Sequence, residues 1–271
     1  MYALKDKVAV VTGAGSGIGR ALAQLLAAKG CRLALADVNE IGLRETAATL
    51  PSPALLQRLD VADRAAVFAF AERVQRELGT AHAVINNAGV AVSQTVADLS
   101  YDDFEWLMNI NFWGVVHGTK AFLPMLQAQN DGVIVNVSSV FGIIAVPTQG
   151  AYNAAKFAVR GFTEALRHEL AGSGVKAICV HPGGIKTNIA AAARFYVDPD
   201  GVSDHRKAAA HFAKMARTTP EQAAQTIVDG IEHNRERVLI GGDAKLIDLI
   251  QRLMPVNYWK PMQALMKRMG Q

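Results

Sequence analysis

The chain has 271 residues, of which 51% are hydrophobic and 19% are charged, a balance typical of a packed globular protein with one large core. Its formal net charge of +4 is mild and its basic residues are scattered, so the composition argues against a nucleic-acid-binding protein. No apolar run reaches the length that a membrane span requires.

Apolar runs rich in β-branched residues alternate with helical patterns along the chain. In order, the predicted elements are a strand at 7–12, a helix at 19–30, a strand at 32–37, a helix at 39–49, a strand at 54–60, a helix at 63–79, a strand at 83–86, a long helical segment at 100–127, a strand at 132–139, a helix at 151–171, a strand at 175–182, a helix that starts at 219–221 and a strand at 237–241. The strand runs are continuous rather than alternating, as in strands buried on both faces. Residues 1–271 are therefore predicted to form a single α/β domain with a doubly wound parallel sheet of about seven strands.

The N-terminus, MYALKDKVAVVTGAG, lacks a signal-peptide pattern, because its apolar run is short and ends in glycines. Cys31 and Cys179 lie in apolar stretches at the edges of predicted strands, so we expect both to be reduced core residues. These features predict a cytoplasmic protein.

A glycine-rich segment, TGAGSGIG at 12–19, lies where the first strand meets the first helix. Its glycines leave room for the backbone to approach a pyrophosphate, and the helix N-terminus offers unpaired N–H groups and positive partial charge. The spacing departs from the strict G-x-G-x-x-G fingerprint, so an ordinary glycine-rich turn is the alternative. The strand before it and the helix after it favour a dinucleotide site.

Asp37 ends the second predicted strand, eighteen residues after Gly19. A carboxylate there can accept hydrogen bonds from both hydroxyls of an adenosine ribose and would repel the 2′-phosphate of NADP. No arginine or lysine stands at Ser16, Val38 or Asn39 to bind this phosphate, so NAD(H) is favoured, with NADP(H) as the alternative. The other interpretation of Asp37 is an N-cap of the next helix.

Tyr152 and Lys156 are four residues apart in YNAAK, so on a helix they share one face. A free tyrosine has a pKa of about 10, and an ammonium about 4 Å away would favour the phenolate by on the order of 4 kcal/mol before the lysine is desolvated. The pair is therefore predicted to lower the tyrosine pKa by about one or two units, toward general acid–base catalysis. The alternative is a surface pair that covers one turn of helix.

Six motifs occur together, in one order and spacing: TGAGSGIG, NNAG (86–89), Asn111 in NINFWG, NVSS (136–139), YNAAK (152–156) and HPGGIKT (181–187). With these motifs the chain resembles the short-chain dehydrogenase/reductase (SDR) family over nearly its whole length. The resemblance implies a Rossmann-type fold and an NAD(P)-dependent oxidoreductase that interconverts a secondary alcohol and its ketone by hydride transfer.

The resemblance also implies catalytic roles. Tyr152 would give a proton to the carbonyl oxygen in reduction and take it back in oxidation. Ser139, thirteen residues earlier, would polarise the same oxygen, and its neighbour Ser138 is the weaker candidate. Lys156 would bind the nicotinamide ribose and lower the tyrosine pKa, and Asn111 would hold a water between Lys156 and solvent. The other interpretation of Asn111 is a helix-kink residue that bonds free backbone groups.

For the cofactor, the resemblance implies that NNAG lines the adenosine ribose side and that HPGGIKT packs against the nicotinamide. Asp60, which ends the third predicted strand, is a candidate for the adenine, although its surroundings also make a good helix start. No metal is expected, since the histidines show no ligand spacing. The predicted cofactor-binding set is Gly13, Gly15, Ser16, Gly17, Ile18, Gly19, Asp37, Val38, Asp60, Val61, Asn87, Ala88, Gly89, Tyr152, Lys156, Pro182, Gly183, Ile185 and Thr187.

The segment 188–218 is long for a connection and is predicted to form a substrate lid. Apolar side chains there and in the loop 140–150 indicate a hydrophobic alcohol or ketone, the alternative being that they pack on one another. No carboxylate-binding arginine is evident, with Arg194 and Arg206 left open. The apolar candidates are Val90, Val92, Phe141, Ile143, Ile144, Val146, Phe195, Tyr196, Phe212 and Met215.

The helices predicted at 100–128 and 151–171 carry apolar residues on more than one face, and in the family they form dimers or tetramers. A homodimer or homotetramer is therefore expected. The tail 255–271 carries Trp259, Met262, Leu265, Met266 and three basic residues; docking on a neighbour is favoured over lying on a membrane surface.

A rival interpretation from another class is a non-catalytic dinucleotide-binding sensor on the same fold. It would account for the glycine-rich segment but would leave Ser139, Tyr152 and Lys156 without a purpose.

Overall fold

The computed structural model describes residues 2–199 and 201–263. The strands in these residues are β1 (Val8–Thr12), β2 (Arg32–Asp37), β3 (Leu55–Arg58), β4 (Ala83–Asn86), β5 (Val92–Ser93), β6 (Gly132–Val137), β7 (Val175–Pro182), β8 (Arg194–Phe195) and β9 (Arg237–Ile240). The helices are α1 (Gly17–Ala28), α2 (Glu40–Ala48), α3 (Arg64–Leu78), α4 (Tyr101–Met108), α5 (Gly114–Gln129), α6 (Gly150–Glu169), α7 (His205–Met215), α8 (Pro220–Glu232) and α9 (Gly242–Leu253). A π-helical turn (Asn109–Trp113) joins α4 to α5, and a 3₁₀ turn (Val140–Gly142) follows β6.

Seven strands form one parallel sheet in the order β3-β2-β1-β4-β6-β7-β9. The chain winds outward from β1 in one direction through β2 and β3 and in the other through β4, β6, β7 and β9. The predicted doubly wound, Rossmann-type α/β fold is therefore confirmed. The direction reverses between β1 and β4, and in sheets of this kind the crevice at that point binds ligands.

Strand β1 shows why the strand runs are apolar without alternation. Its five residues are all buried. Ala9 and Val11 face the core cluster that contains α1 and α8, whereas Val8 and Val10 face the cluster that contains α3 and α5. Because helices cover both faces, every position along the strand is buried, and the positions from Val8 to Val11 are all apolar.

Helix boundaries follow from the capping residues. The Asp63 side chain accepts from Ala66 N at 3.0 Å to start α3, and Gly79 ends that helix with φ of +85°. Thr219 starts α8 in a capping box with Gln222, and Pro220 occupies the first turn, where its missing N–H is harmless. These predicted boundaries are confirmed.

The described residues of the segment 188–218 include one strand and one helix. Its β8 pairs in parallel with β5 as a separate two-stranded sheet, and its α7 has no fully buried residue. Two-residue strands have no sequence pattern, so neither β5 nor β8 was expected. Helix α9 was also not expected.

Both cysteines are free and buried, as predicted, although Cys179 lies within β7 rather than at a strand edge. In the described part of the chain, no helix is both long and apolar enough to span a bilayer.

Candidate active site

The glycine-rich segment turns tightly between β1 and α1. Gly13 and Gly17 adopt positive φ angles of 66° and 50°, which glycine tolerates best. Gly19 packs so closely on the Gly13 carbonyl that a Cβ at this position would overlap it. Ser16 precedes α1 without a side-chain hydrogen bond, and the first turn carries no acidic residue. The N–H groups there are thus left for an anion.

Asp37, at the end of β2, faces this turn. Its Oδ2 accepts from Gly15 N and its Oδ1 from Asn39 N, each at 2.8 Å. The N-cap of α2 is Asn39, whose side chain accepts from Gly42 N at 3.1 Å, so the interpretation of Asp37 as the cap is wrong. Each carboxylate oxygen can accept a further hydrogen bond, so the side chain is held in place with acceptor capacity left.

Arg20 was not expected near this site. Its guanidinium donates to Gly15 O at 2.7 Å and to Glu45 at 2.9 Å, and it lines a cleft of about 310 Å³ beside the glycine-rich turn. Ser16, Gly17, Asn39 and Asn188 also line this cleft. The signal available in the sequence was the position of Arg20 one residue after the last glycine.

The residues predicted to lie beside the adenine differ in how exposed they are. Val38 is 60% exposed, and Asp60 is exposed with its Oδ1 accepting from Ala62 N at 2.9 Å. The Val61 side chain is buried in the core, so only its main chain remains for a ligand. Ile18 is half-buried against the α1 side of the core.

The end of β4 is tied to the glycine-rich turn. Asn87 donates from Nδ2 to Thr12 O at 2.9 Å, and Ala88 N donates to Thr12 Oγ1 at 3.1 Å. A Cβ on Gly89 would lie 3.2 Å from Asn111 Oδ1 and 3.6 Å from Lys156 Nζ. The NNAG motif therefore links the nucleotide end of the site to its catalytic end.

Tyr152 and Lys156 lie on one face of α6, and the lysine Nζ is 5.5 Å from the centre of the tyrosine ring. Lys156 is 3% exposed, and its Nζ donates to Val137 O, at the end of β6, at 2.9 Å. The interpretation as a surface pair is therefore wrong.

The predicted lowering of the tyrosine pKa by Lys156 is also wrong for this structure. Burial raises the pKa of Tyr152 to about 12, and a hydrogen bond with Ser139 only partly opposes this. Burial lowers the pKa of Lys156 to about 8. Loss of hydration on burial is the largest cause of the pKa shift in both groups, and the Lys156 ammonium donates to a main-chain carbonyl.

Ser139 and Ser138 differ in their partners. The Ser138 hydroxyl donates to Lys156 O at 2.7 Å and so fastens α6 to β6. The Ser139 hydroxyl accepts from Phe141 N at 3.1 Å and interacts with Tyr152. This favours Ser139 as the residue that faces a substrate.

Asn111, in the π-helical turn, is fully buried. Its Oδ1 accepts from Val90 N and its Nδ2 donates to Val90 O, both at 2.8 Å. The side chain thus binds the backbone of the loop after NNAG rather than that of its own helix. The position of Asn111 beside Gly89 still brings it to the catalytic end.

His181, in β7 directly before Pro182, is fully buried and lies with Nδ1 2.9 Å from Ser139 O. Burial lowers the pKa of His181 to about 4, so the ring is neutral at pH 7 and Nδ1–H donates to the carbonyl. Sequence reasoning gave this histidine no role. Its place at the strand end, in the HPGGIKT motif, was the available signal.

The loop after β7 reaches the glycine-rich turn, since the Thr187 methyl group would lie 3.1 Å from a Cβ on Gly17. Gly183 N donates to Ile240 O at 3.0 Å, while the Ile185 side chain is buried in the core below. The loop therefore crosses from the catalytic end to the nucleotide end.

Some of the apolar side chains predicted to contact the substrate are buried in a hydrophobic core cluster instead. Ile143, Ile144 and Val146 are buried against Ala244 and Ile247 of α9, so their assignment to the substrate surface is wrong. The buried cluster around Val92, which is 2% exposed, also excludes that side chain from a substrate surface. Long-range packing with α9 decided this, and no local pattern shows it.

Phe141 and Val90 remain beside Tyr152. The rings of Phe141 and Tyr152 meet edge to face with centroids 6.0 Å apart, and Val90 packs in the cluster that includes Tyr152. Phe212 and Met215 are half-buried on α7.

Arg194 is committed to a structural contact. Its guanidinium lies 2.7 Å from the Asp103 carboxylate and 3.7 Å from the centre of the Trp106 ring. Tyr196 donates to the same carboxylate at 2.8 Å, and these bonds hold the pKa of Asp103 below its ordinary value. The side chains fasten β8 to α4, so Arg194 is not available for a substrate carboxylate.

The tail prediction falls partly outside the described residues. Tyr258, Trp259 and Met262 pack against the 140–146 loop of the same chain, and Tyr258 OH accepts from Ala145 N at 3.0 Å. Leu265 and Met266 lie outside the described residues.

The chain is similar to known proteins along most of its length. A family model described as short chain dehydrogenase matches residues 7–195. The Mycobacterium tuberculosis protein SadH, provisionally named an oxidoreductase, is 51% identical over 263 residues that cover 95% of this chain and 94% of the relative.

Two solved structures are similar over most of the chain. A short chain dehydrogenase/reductase from Burkholderia phymatum in complex with NAD has a TM-score of 0.86 and 32% identity, covering 93% of this chain and 95% of the other. Levodione reductase has a TM-score of 0.80 and 28% identity, covering 89% and 98%.

Proposed function

Since the chain belongs to the short-chain dehydrogenase family and is an oxidoreductase of that family, we propose that it interconverts a hydrophobic secondary alcohol and its ketone with NAD as the hydride carrier. The observation that carries the proposal is the meeting of Tyr152, Ser139 and Lys156 at the strand ends, next to the glycine-lined cleft. A hydroxyl pair and a buried cation in one place suit a reaction that moves a proton to or from a carbonyl oxygen.

Tyr152 is the proton donor in reduction. With a pKa of about 12 it stays protonated at neutral pH, so it can hydrogen-bond a ketone oxygen and give up its proton as that oxygen becomes an alkoxide. Ser139 stabilises the same oxygen, and its hydroxyl rotamer is fixed by the bond from Phe141 N. His181 holds the Ser139 main chain in place.

The residues present fit a dinucleotide. The glycine-rich turn has no room for a Cβ at Gly19, and uncapped N–H groups begin α1, as a pyrophosphate requires. Asp37 would accept from the adenosine ribose, and Lys156 would bind the nicotinamide ribose while Asn111 holds the loop beside it. When bound, the cofactor supplies or accepts the hydride.

NAD is favoured over NADP because the Asp37 carboxylate faces the glycine-rich turn and would repel a 2′-phosphate. Arg20 is the one observation for NADP, but its guanidinium is already shared by Gly15 O and Glu45.

We expect Asp37→Ser to shift the ratio of NADH to NADPH affinity toward NADPH by at least about tenfold, since a repulsive charge is removed. Glu40→Gln, which removes an exposed carboxylate three residues away, is the control; an unchanged ratio in Asp37→Ser would contradict the NAD assignment.

A hydrophobic substrate is supported by Phe141 and Val90 beside Tyr152 and by the half-buried apolar side chains of α7. The segment 188–218 would act as the lid over this surface. A homodimer or homotetramer in the cytoplasm completes the proposal, and the two free, buried cysteines are in keeping with a reducing compartment.

The test is Tyr152→Phe, assayed by NADH absorbance with a panel of ketones and secondary alcohols. Loss of the proton donor should reduce turnover by about 10²- to 10⁴-fold, whereas NADH binding should persist. Tyr101→Phe makes the same chemical change at a tyrosine that is 86% exposed and serves as the control. Near-normal turnover in Tyr152→Phe would show that Tyr152 is not the proton donor. No turnover by the natural chain with either cofactor would favour the alternative of a non-catalytic dinucleotide-binding sensor.

A further inference from the structure

Helix α9 sends a carboxylate into the loop that follows β7. Asp243, in the first turn of α9, accepts from Gly184 N at 2.6 Å. Gly184 lies in the middle of the 182–187 loop, which crosses from the catalytic end of the site to the glycine-rich turn.

The carboxylate is enclosed by glycines. A Cβ on Gly183 would overlap the Asp243 carboxylate, and so would a Cβ on Gly241, which has a φ of +97°. Thr218 Oγ1 would lie 3.0 Å from that second Cβ. Two glycines, Gly183 and Gly241, thus leave the space into which the Asp243 side chain fits.

The Asp243 bond is also unlike the other bonds of this loop. Gly183 N donates to Ile240 O at 3.0 Å and Lys186 N to Thr218 O at 2.9 Å, both between main-chain groups. Among the hydrogen bonds seen in residues 2–199 and 201–263, Asp243 supplies the side-chain acceptor for the 182–187 loop.

Helix α9 is a firm support for this contact. Ala244 and Ile247 pack against the buried part of the 140–146 loop, and Asp248 bonds Arg237 of β9 at 2.6 Å. The helix is therefore fixed to both the sheet and the loop that carries Phe141. A carboxylate on its first turn is placed with little freedom.

We propose that Asp243 is a positioning residue that holds Gly184, and with it the 182–187 loop, in the geometry that binds the nicotinamide end of the cofactor. This inference rests on the proposed function. The competing explanation is purely structural: a carboxylate in the first turn of a helix stabilises that helix through its N-terminal charge.

The experiment compares Asp243→Ala, Asp243→Asn and Asp248→Asn in the full chain. Asp243→Ala removes the acceptor, so we expect NADH binding, measured by fluorescence titration, to weaken by about tenfold. Asp243→Asn keeps an acceptor oxygen and should stay within about threefold of the natural chain. Asp248→Asn breaks ion pairs on the same helix away from the loop, so it should lower the melting temperature without changing NADH affinity.

Hydrogen exchange of the Gly184 amide gives a second readout that does not depend on the cofactor. We expect this amide to exchange faster in Asp243→Ala than in Asp243→Asn or Asp248→Asn. Unchanged NADH affinity in Asp243→Ala, or an equal loss in Asp248→Asn, would overturn the proposal. If the natural chain binds neither NADH nor NADPH, the proposed function fails instead, and unchanged exchange at Gly184 would overturn the contact itself.

Discussion

At the scale of single residues, loss of hydration sets the direction in which the pKa values of Tyr152 and Lys156 shift. Lys156 is buried with one main-chain acceptor, Val137 O, and Tyr152 interacts with the hydroxyl of Ser139. The i,i+4 spacing brought the two side chains onto one face, but burial moved each pKa against its charged form. Sites that keep a costly buried charge give up stability to do so.

A prediction about stability follows from Lys156. Its pKa of about 8 in the folded chain lies below the unfolded value of 10.5, so the unfolded chain binds more protons between these values and stability should rise with pH there. Below pH 8 the loss of stability caused by burying the charged Lys156 is fully present. We expect Lys156→Met to abolish turnover yet raise the free energy of unfolding at pH 7 by about 1–3 kcal/mol.

Urea unfolding of both proteins at pH 7 and pH 10 measures this. The advantage of Lys156→Met should shrink at pH 10, where the natural lysine is mostly neutral in the folded state. Lys176→Met, a change at an exposed lysine of β7, is the control. A Lys156→Met protein less stable than the natural chain at pH 7 would show that the ammonium is well stabilised where it lies.

At the scale of elements, the sequence predicts what local chemistry decides. The strands at 32–37, 83–86 and 175–182 were placed to the residue, because strands buried on both faces are continuous apolar runs. The start of α3 at Asp63 was predictable from its capping chemistry.

What the sequence did not predict depends on contacts between distant segments. The pairing of β5 with β8 joins segments about a hundred residues apart, and two-residue strands carry no periodicity. Ile143 and Ile144 are buried because α9 packs on them. The bond from Gly184 N to Asp243 joins the loop after β7 to the same helix. At the site, glycines and motif residues were predictable, whereas pKa directions were not, since they depend on burial.

Another prediction concerns the segment 188–218. The Arg194 guanidinium is fastened between Asp103 and Trp106, so we expect Arg194→Met to loosen β8 from α4. The ion pair is partly exposed, and losing about 1 kcal/mol would raise the open population about fivefold. Limited proteolysis at 196–207 should therefore be faster and the KM for substrate higher, with NADH affinity unchanged.

Lys207→Met is the matched control, because Lys207 lies on α7 with its Nζ 3.8 Å from Asp204 and its side chain mostly exposed. Equal proteolysis of Arg194→Met and the natural chain would mean that β8 is held by its pairing with β5 alone. A loss of NADH affinity would instead place the Arg194 contact in support of the cofactor site.

At the scale of the whole molecule, several aromatic side chains of the segment from α4 to α6 are exposed on the surface. Trp113 of the π-helical turn and Phe157 of α6 are 47% and 41% exposed, and Phe104 of α4 is 36% exposed. Trp113 and Phe68 also line a groove of about 510 Å³ with His117. Exposed aromatic side chains on packed helices are typical of a surface that a second copy covers.

The last prediction tests this surface as the subunit interface. Phe157→Arg would place a charge on the surface where we expect a second copy to pack, and burying an unpaired charge is costly enough to separate the subunits. We expect light scattering after size exclusion to show a multiple of 29.0 kDa for the natural chain and 29.0 kDa for Phe157→Arg. Leu253→Arg, at a 74% exposed apolar residue ending α9, should keep the natural mass. Monomers from Leu253→Arg but not from Phe157→Arg would place the interface on the C-terminal side, and a monomeric natural chain would show that α4 to α6 face solvent.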